Sequence, residues 1–170
     1  MGSKKRTCKA EAHSAVISKA KTAVITVGNE LMGDDGVGPA VFKTLERTIL
    51  PRGVALIDGG TGGLGILHLM SGYDRVILVD CCDFGGKAGA VKVFKPEDVL
   101  TKRGNAKFSL HSLDLLGLIE FGKQIGNLPR DLCIIGVQPK KVGMGEGLSV
   151  PVQKAVPMAV GAVLGMLDVL

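Results

Sequence analysis

Five short aliphatic runs punctuate the chain, each closed by a polar or glycine-rich stretch. Residues 22–27, 54–57, 75–79, 90–94 and 132–137 are rich in Val and Ile and too short for helices, so they read as strands. Their near-continuous apolarity is that of strands covered on both faces. Between them the period changes. Val37, Ala40, Val41, Leu45 and Ile49 recur at helical spacing, which predicts a helix from Gly36 to about Leu50. Further helices are expected over 64–70, 113–122 and 150–170, with a short helical turn at 96–100. Strands alternating with helices give the α/β class: one domain, with helices on both faces of a twisted, mostly parallel five-stranded sheet. Only about ten residues separate the third and fourth strands, and a parallel crossover needs a dozen or more. The fourth strand is therefore expected to be an antiparallel edge.

Composition narrows this picture. The chain has 170 residues, 46% of them hydrophobic, enough for one full core. Aromatics are 4% and Trp is absent, so that core must be aliphatic. The net charge of +5 is not spread over the domain. Lys4, Lys5, Arg6, Lys9, Lys19 and Lys21 precede Thr22 against the single acid Glu11, and the remainder carries equal numbers of acidic and basic residues. Residues 1–21 are expected to be a basic, solvated extension, and 22–170 the α/β domain. Nucleic-acid binding needs a basic face on the fold and is not expected. No apolar stretch of signal-peptide length follows the basic start. Cys8, Cys81, Cys82 and Cys133 form no Cys-x-x-Cys pair, which suits a reduced, cytoplasmic protein. The apolar stretch after Val150 is interrupted by Gln153, Lys154, Pro157 and Asp168, so it reads as a core helix rather than a membrane span.

The candidate chemistry lies where strands run out. The first run leads into Gly28-Asn29-Glu30-Leu31-Met32-Gly33-Asp34-Asp35-Gly36, the third into Asp80-Cys81-Cys82-Asp83, and His111 follows Lys107-Phe108-Ser109-Leu110. Open α/β sheets bind ligands beyond the carboxyl ends of their strands. The first loop is not a phosphate loop: its glycine spacing is not Gly-x-Gly-x-x-Gly, and Asp34-Asp35 stands where a P-loop carries Lys-Ser or Lys-Thr. Two carboxylates at a helix start repel phosphate and attract a cation, unless they simply cap the helix. A serine triad lacks its Gly-x-Ser-x-Gly elbow, and a zincin lacks His-Glu-x-x-His. Cys81 and Cys82 read as small buried residues, and His13 and His68 as structural or exposed.

The loop from Gly28 to Gly38 resembles the first signature of the hydrogenase maturation endopeptidases. Asp58-Gly59-Gly60-Thr61 resembles their second motif, Val79-Asp80 the third strand end, and His111 their histidine. Gly136-Val137-Gln138-Pro139, followed by Gly147-Leu148-Ser149, resembles their late loop. The resemblance runs from about Thr22 to the C-terminus. It implies an endopeptidase that removes the C-terminal extension of a nickel–iron hydrogenase large-subunit precursor. Asp35, Asp80 and His111 would then be both the metal ligands and the catalytic residues, with Asp34 or Asp35 as the binding carboxylate. Asn29, Asp34, Asp58, Gly59, Gly60, Thr61 and Gln138 are expected to bind substrate.

Two carboxylates and an imidazole suit a borderline divalent ion, and three ligands leave positions open. The resemblance implies that nickel arrives with the precursor, though other divalent ions could occupy the site in vitro. The water-activating group is either the metal or a carboxylate such as Asp34 or Asp35. A monomer in transient complex with the precursor is expected, with no membrane insertion. The rival readings are a non-catalytic maturation chaperone that binds the nickel-loaded precursor and, more remotely, a nucleotide-binding domain.

Overall fold

The computed structural model describes residues 22–100, 109–110 and 115–168. His111 and the basic extension 1–21 lie outside the described residues. The strands are β1 (Thr22–Thr26), β2 (Val54–Asp58), β3 (Arg75–Asp83), β4 (Val91–Phe94), β5 (Ser109–Leu110) and β6 (Asp131–Val137). The helices are α1 (Val37–Leu45), α2 (Gly65–Met70), α3 (Pro96–Leu100), α4 (Leu115–Gln124) and α5 (Val150–Leu167). A 3-10 turn, Asp34–Gly36, leads into α1.

The main sheet runs β2-β1-β3-β6-β4. Its first four strands are parallel, and β4 is the antiparallel edge that the short connection requires. From β1, inside the sheet, the chain steps outward to β2 and returns across β1 to β3. A topological switch point therefore lies between β1 and β3, where α/β sheets open a crevice.

Strand alternation divides the core. Ala23, Ile25, Val27, Val76, Leu78 and Cys82 face one way, against Ile66, Leu67 and Met70 of α2 and Leu118 and Ile119 of α4. Val24, Ile77, Val79, Cys81, Ile135 and Val137 face the other way, against α1 and α5. Helix α5 is long and apolar enough to cross a membrane by composition. Its Val152, Ala155, Ala159, Val163 and Leu167 form a helical stripe buried on the sheet.

Three expectations need correction. Helix α1 stops at Leu45 rather than near Leu50, and Ile49 is 97% exposed instead of joining the apolar face. Pro51 disfavours helical geometry at Leu50, and the bonds from Arg47 N to Thr44 O and Thr48 N to Leu45 O tighten the exit. Strand β3 does not end at Val79 but continues to Asp83, because β6 pairs with it to Cys81 and β5 pairs with Cys82 and Asp83. The two-residue β5 was not anticipated, being too short to leave a period.

Candidate active site at the switch point

The first loop folds over the end of β1 through close backbone packing. A Cβ on Gly38 would collide with the backbone of Val27, and one on Gly28 with the carbonyl of Asp35. The glycines of this motif thus serve an approach of main chain to main chain. The result buries Asp34, Asp35 and Gly36.

The adjacent carboxylates have different duties. Neither caps α1, whose N-cap is Gly36 with no side-chain cap bond. Asp34, 1% exposed, reaches the late loop. Its Oδ2 accepts from the amides of Lys140 (2.8 Å) and Lys141 (3.0 Å) and from the Ser149 hydroxyl (2.9 Å). Its Oδ1 accepts from the Ser149 amide at 2.6 Å. Burial pushes this carboxyl up, but the Lys141, Ser149 and Lys140 donors outweigh it and hold its pKa below the usual value. Asp35, 6% exposed, accepts at Oδ2 from the Asn29 amide (2.9 Å).

Asp80 is fully buried and lies in β3 between Leu78 and Cys82, one residue past the last β1–β3 pair, Thr26 with Val79. Its Oδ1 accepts from the Cys81 amide at 2.8 Å. Burial raises the Cys81 thiol pKa far above the ordinary value, and the charges of Asp80, Asp35, Asp34 and Asp83 raise it further, in that order. Cys81 therefore stays a protonated thiol rather than a nucleophile. Strand β5 lays Leu110, the residue before His111, beside Cys82, two positions from Asp80.

Among the described residues, no group of three or more His, Cys, Asp and Glu side chains is arranged to hold a metal ion. Asp35 and Asp80 are the two members of the expected triad in the described region.

The other expected residues divide. Asn29 orders the first loop, its Oδ1 accepting from the Leu31 amide at 3.0 Å. Asp58, Gly60 and Thr61 are exposed at the exit of β2, where Asp58 Oδ1 accepts from Gly60 N at 2.9 Å. Gly59 packs on the end of β1 through its amide to Thr26 O, at 2.8 Å. Gln138 is 6% exposed and fully engaged. Its Oε1 accepts from Phe84 N (2.9 Å) and Gly86 N (3.0 Å), and its Nε2 donates to Asp83 Oδ1 at 2.9 Å. Nothing in the local spacing marks this inward engagement; only its polarity at the end of a buried strand hints at it.

A cavity of about 420 Å³ opens beside the first loop, lined by Glu30, Leu31, Gly33, Lys43, Gly147 and Leu148. A second, of about 250 Å³, shares Gly33, Gly147 and Leu148 and runs under Met144. Leu31 (63% exposed), Leu64 (71%) and Met144 (93%) add apolar surface to the loops around this edge.

Comparison with known proteins agrees with the fold. A family model described as hydrogenase maturation protease, HycI, matches residues 39–166. The hydrogenase 2 maturation protease of Escherichia coli K12 is 32% identical over 146 residues, spanning 85% of this chain and 88% of that protein. The hydrogenase expression/formation protein HupD of Rhizobium leguminosarum bv. viciae is 31% identical over 139 residues, covering 81% of this chain and 69% of HupD. The solved structure of the hydrogenase maturating endopeptidase HybD from E. coli aligns with a TM-score of 0.75 at 30% identity, over 87% of this chain and 92% of HybD. The chain belongs to the hydrogenase maturation protease family.

Proposed function

We propose that this protein cuts the C-terminal extension from a nickel–iron hydrogenase large-subunit precursor once nickel has been inserted. Asp35, Asp80 and His111 meet that nickel, which is cargo of the substrate. The observation that carries this reading is the burial of two carboxylates, Asp35 and Asp80, on the segments that leave β1 and β3 at the switch point, in a chain of this protease family. Carboxylate and imidazole ligands without thiolate bind a borderline ion weakly in the empty enzyme, so the site reads a loaded precursor rather than scavenging metal. Asp34 has its lone pairs committed to four donors, so Asp35 is the carboxylate that orients or deprotonates the attacking water. The tail to be cut runs along the exposed β2 exit, Asp58 to Thr61, and past Asn29. The protein works as a monomer in transient complex with its precursor, in the reducing cytoplasm.

The test is the intact mass of a large-subunit precursor after incubation with this protein, with and without nickel loaded. Loss of a C-terminal peptide from the loaded form alone is the expected result. Complex formation without peptide loss from either form would replace the protease by a non-catalytic maturation chaperone.

A further inference from the structure

The two site carboxylates ride on chains that the sheet stops holding together just where they are needed. The β1–β3 ladder ends with Thr26 opposite Val79, and the last bond across it is Val27 N to Val79 O at 2.9 Å. Asp35 lies eight residues further along one chain and Asp80 one residue further along the other. Beyond that bond their separation is set by the packing of the 3-10 turn on β3 and by whatever braces the two segments from outside.

One short segment touches both carriers. On the β3 side, the Gln138 side chain grips the turn after β3 through Phe84 N, Gly86 N and Asp83 Oδ1. The Gln138 backbone is itself fixed to the entrance of β4, by Gly89 N to its carbonyl (2.8 Å) and its amide to Ala90 O (2.9 Å). On the β1 side, the amides of Lys140 and Lys141 are held by Asp34, the residue next to Asp35. Asp34 N returns a bond to Lys141 O at 3.3 Å. Pro139 lies between the two grips and has one locked backbone torsion.

We propose that residues 138–141 form a strut that sets the spacing between Asp35 and Asp80, and that Gln138 and Asp34 are positioning residues rather than substrate ligands. Both side chains are buried, with their hydrogen-bonding groups turned inward. A carboxylate displaced by about 1 Å from productive geometry can cost about 10²-fold in rate, so a strut has something to protect.

This inference rests on the proposed peptidase reading, and its test has an arm that does not. In the substrate-free full chain, hydrogen exchange is followed in Gln138→Met, which keeps the volume, and in Asp34→Asn. Gln138→Met should speed exchange at Phe84 and Gly86 at least tenfold and raise it at Lys140 and Lys141 as well. Asp34→Asn should do the reverse, reaching Phe84 and Gly86 from the far end. Gln138→Glu replaces the amide that donates to Asp83 Oδ1 by a carboxylate oxygen, so it too should speed exchange at Phe84 and Gly86. Exchange confined to the mutated end would overturn the strut, whether or not any precursor is cleaved.

With a nickel-loaded precursor, each single variant should lower kcat at least tenfold and leave KM within about twofold, because neither residue meets the tail. Cutting one end already frees the strut, so the double variant should be no slower than the slower single one. A rise in KM alone, or losses that multiply in the double variant, would make Gln138 and Asp34 independent substrate contacts.

Discussion

The loop that follows β6 and the loop that follows β2 are both rich in glycine, yet they are secured differently. The β6 exit is tied across the molecule. Asp34 binds its two ends at Lys140–Lys141 and Ser149, Gln138 binds the β3 exit, and Gly33 N to Gly145 O and Gly145 N to Leu31 O stitch its crown to the first loop. The β2 exit is tied mainly to its immediate surroundings, by Asp58 to Gly60 N, Gly62 N to Gly59 O and Gly28 N to Gly60 O. Thr61 and Leu64 stand exposed beyond those bonds. Glycine content alone therefore does not identify a substrate-receiving loop. A Cβ on Gly143, Gly145 or Gly147 of the β6 exit, or on Gly60 of the β2 exit, would meet open space, so the loops differ in the bonds that reach across the molecule and not in their glycines.

The largest effect is expected at the centre that both loops flank. Asp35→Asn and Asp80→Asn should each lower single-turnover cleavage by about 10²–10⁴-fold with circular dichroism unchanged. Wild-type rates in both would remove the site from the switch point. Next comes the packing beneath the tied loop. Gly38→Ala forces a Cβ into the backbone of Val27, and overpacking of this kind costs about 1–3 kcal/mol. For a domain of this size that is a fall of several degrees in Tm, readable by calorimetry. An unchanged Tm would mean that the first loop can lift from β1.

A smaller effect concerns thiols and pH. Burial, reinforced by Asp131, raises the Cys133 pKa above the ordinary thiol value. Folding then favours the protonated form, so this thiol's contribution is complete below the unfolded-state pKa and declines as pH rises through the raised one. Alkylation of Cys133 at pH 8 should track unfolding in urea rather than time in buffer, as read by peptide mass. Smallest in stability is Leu64→Ala at the lightly tied loop, expected to move folding by less than about 0.5 kcal/mol. It should raise KM for the precursor severalfold without changing kcat, the opposite split from that expected of Gln138.

Much of this architecture was legible in the chain. Aliphatic runs and helical spacing locate the elements, because burial on two faces or on one stripe imposes those periods locally. The length of the β3–β4 connection settles the antiparallel edge for a geometric reason that needs no contacts. The candidate acids also stand out, as polar groups where apolar runs end. Ile49 misled because its spacing continues a helix that Pro51 and a tight turn bring to a close.

What only the tertiary structure decided is how neighbouring residues divide the labour. Asp34 and Asp35 are indistinguishable as sequence, and the partners that separate them lie 106 to 115 positions from Asp34. The strand order that creates the switch point is likewise non-local, as is the extension of β3 by pairing with β5 and β6. A periodic pattern records which way a residue faces. It cannot record which distant amide will arrive to claim a carboxylate, because that depends on how the whole sheet closes.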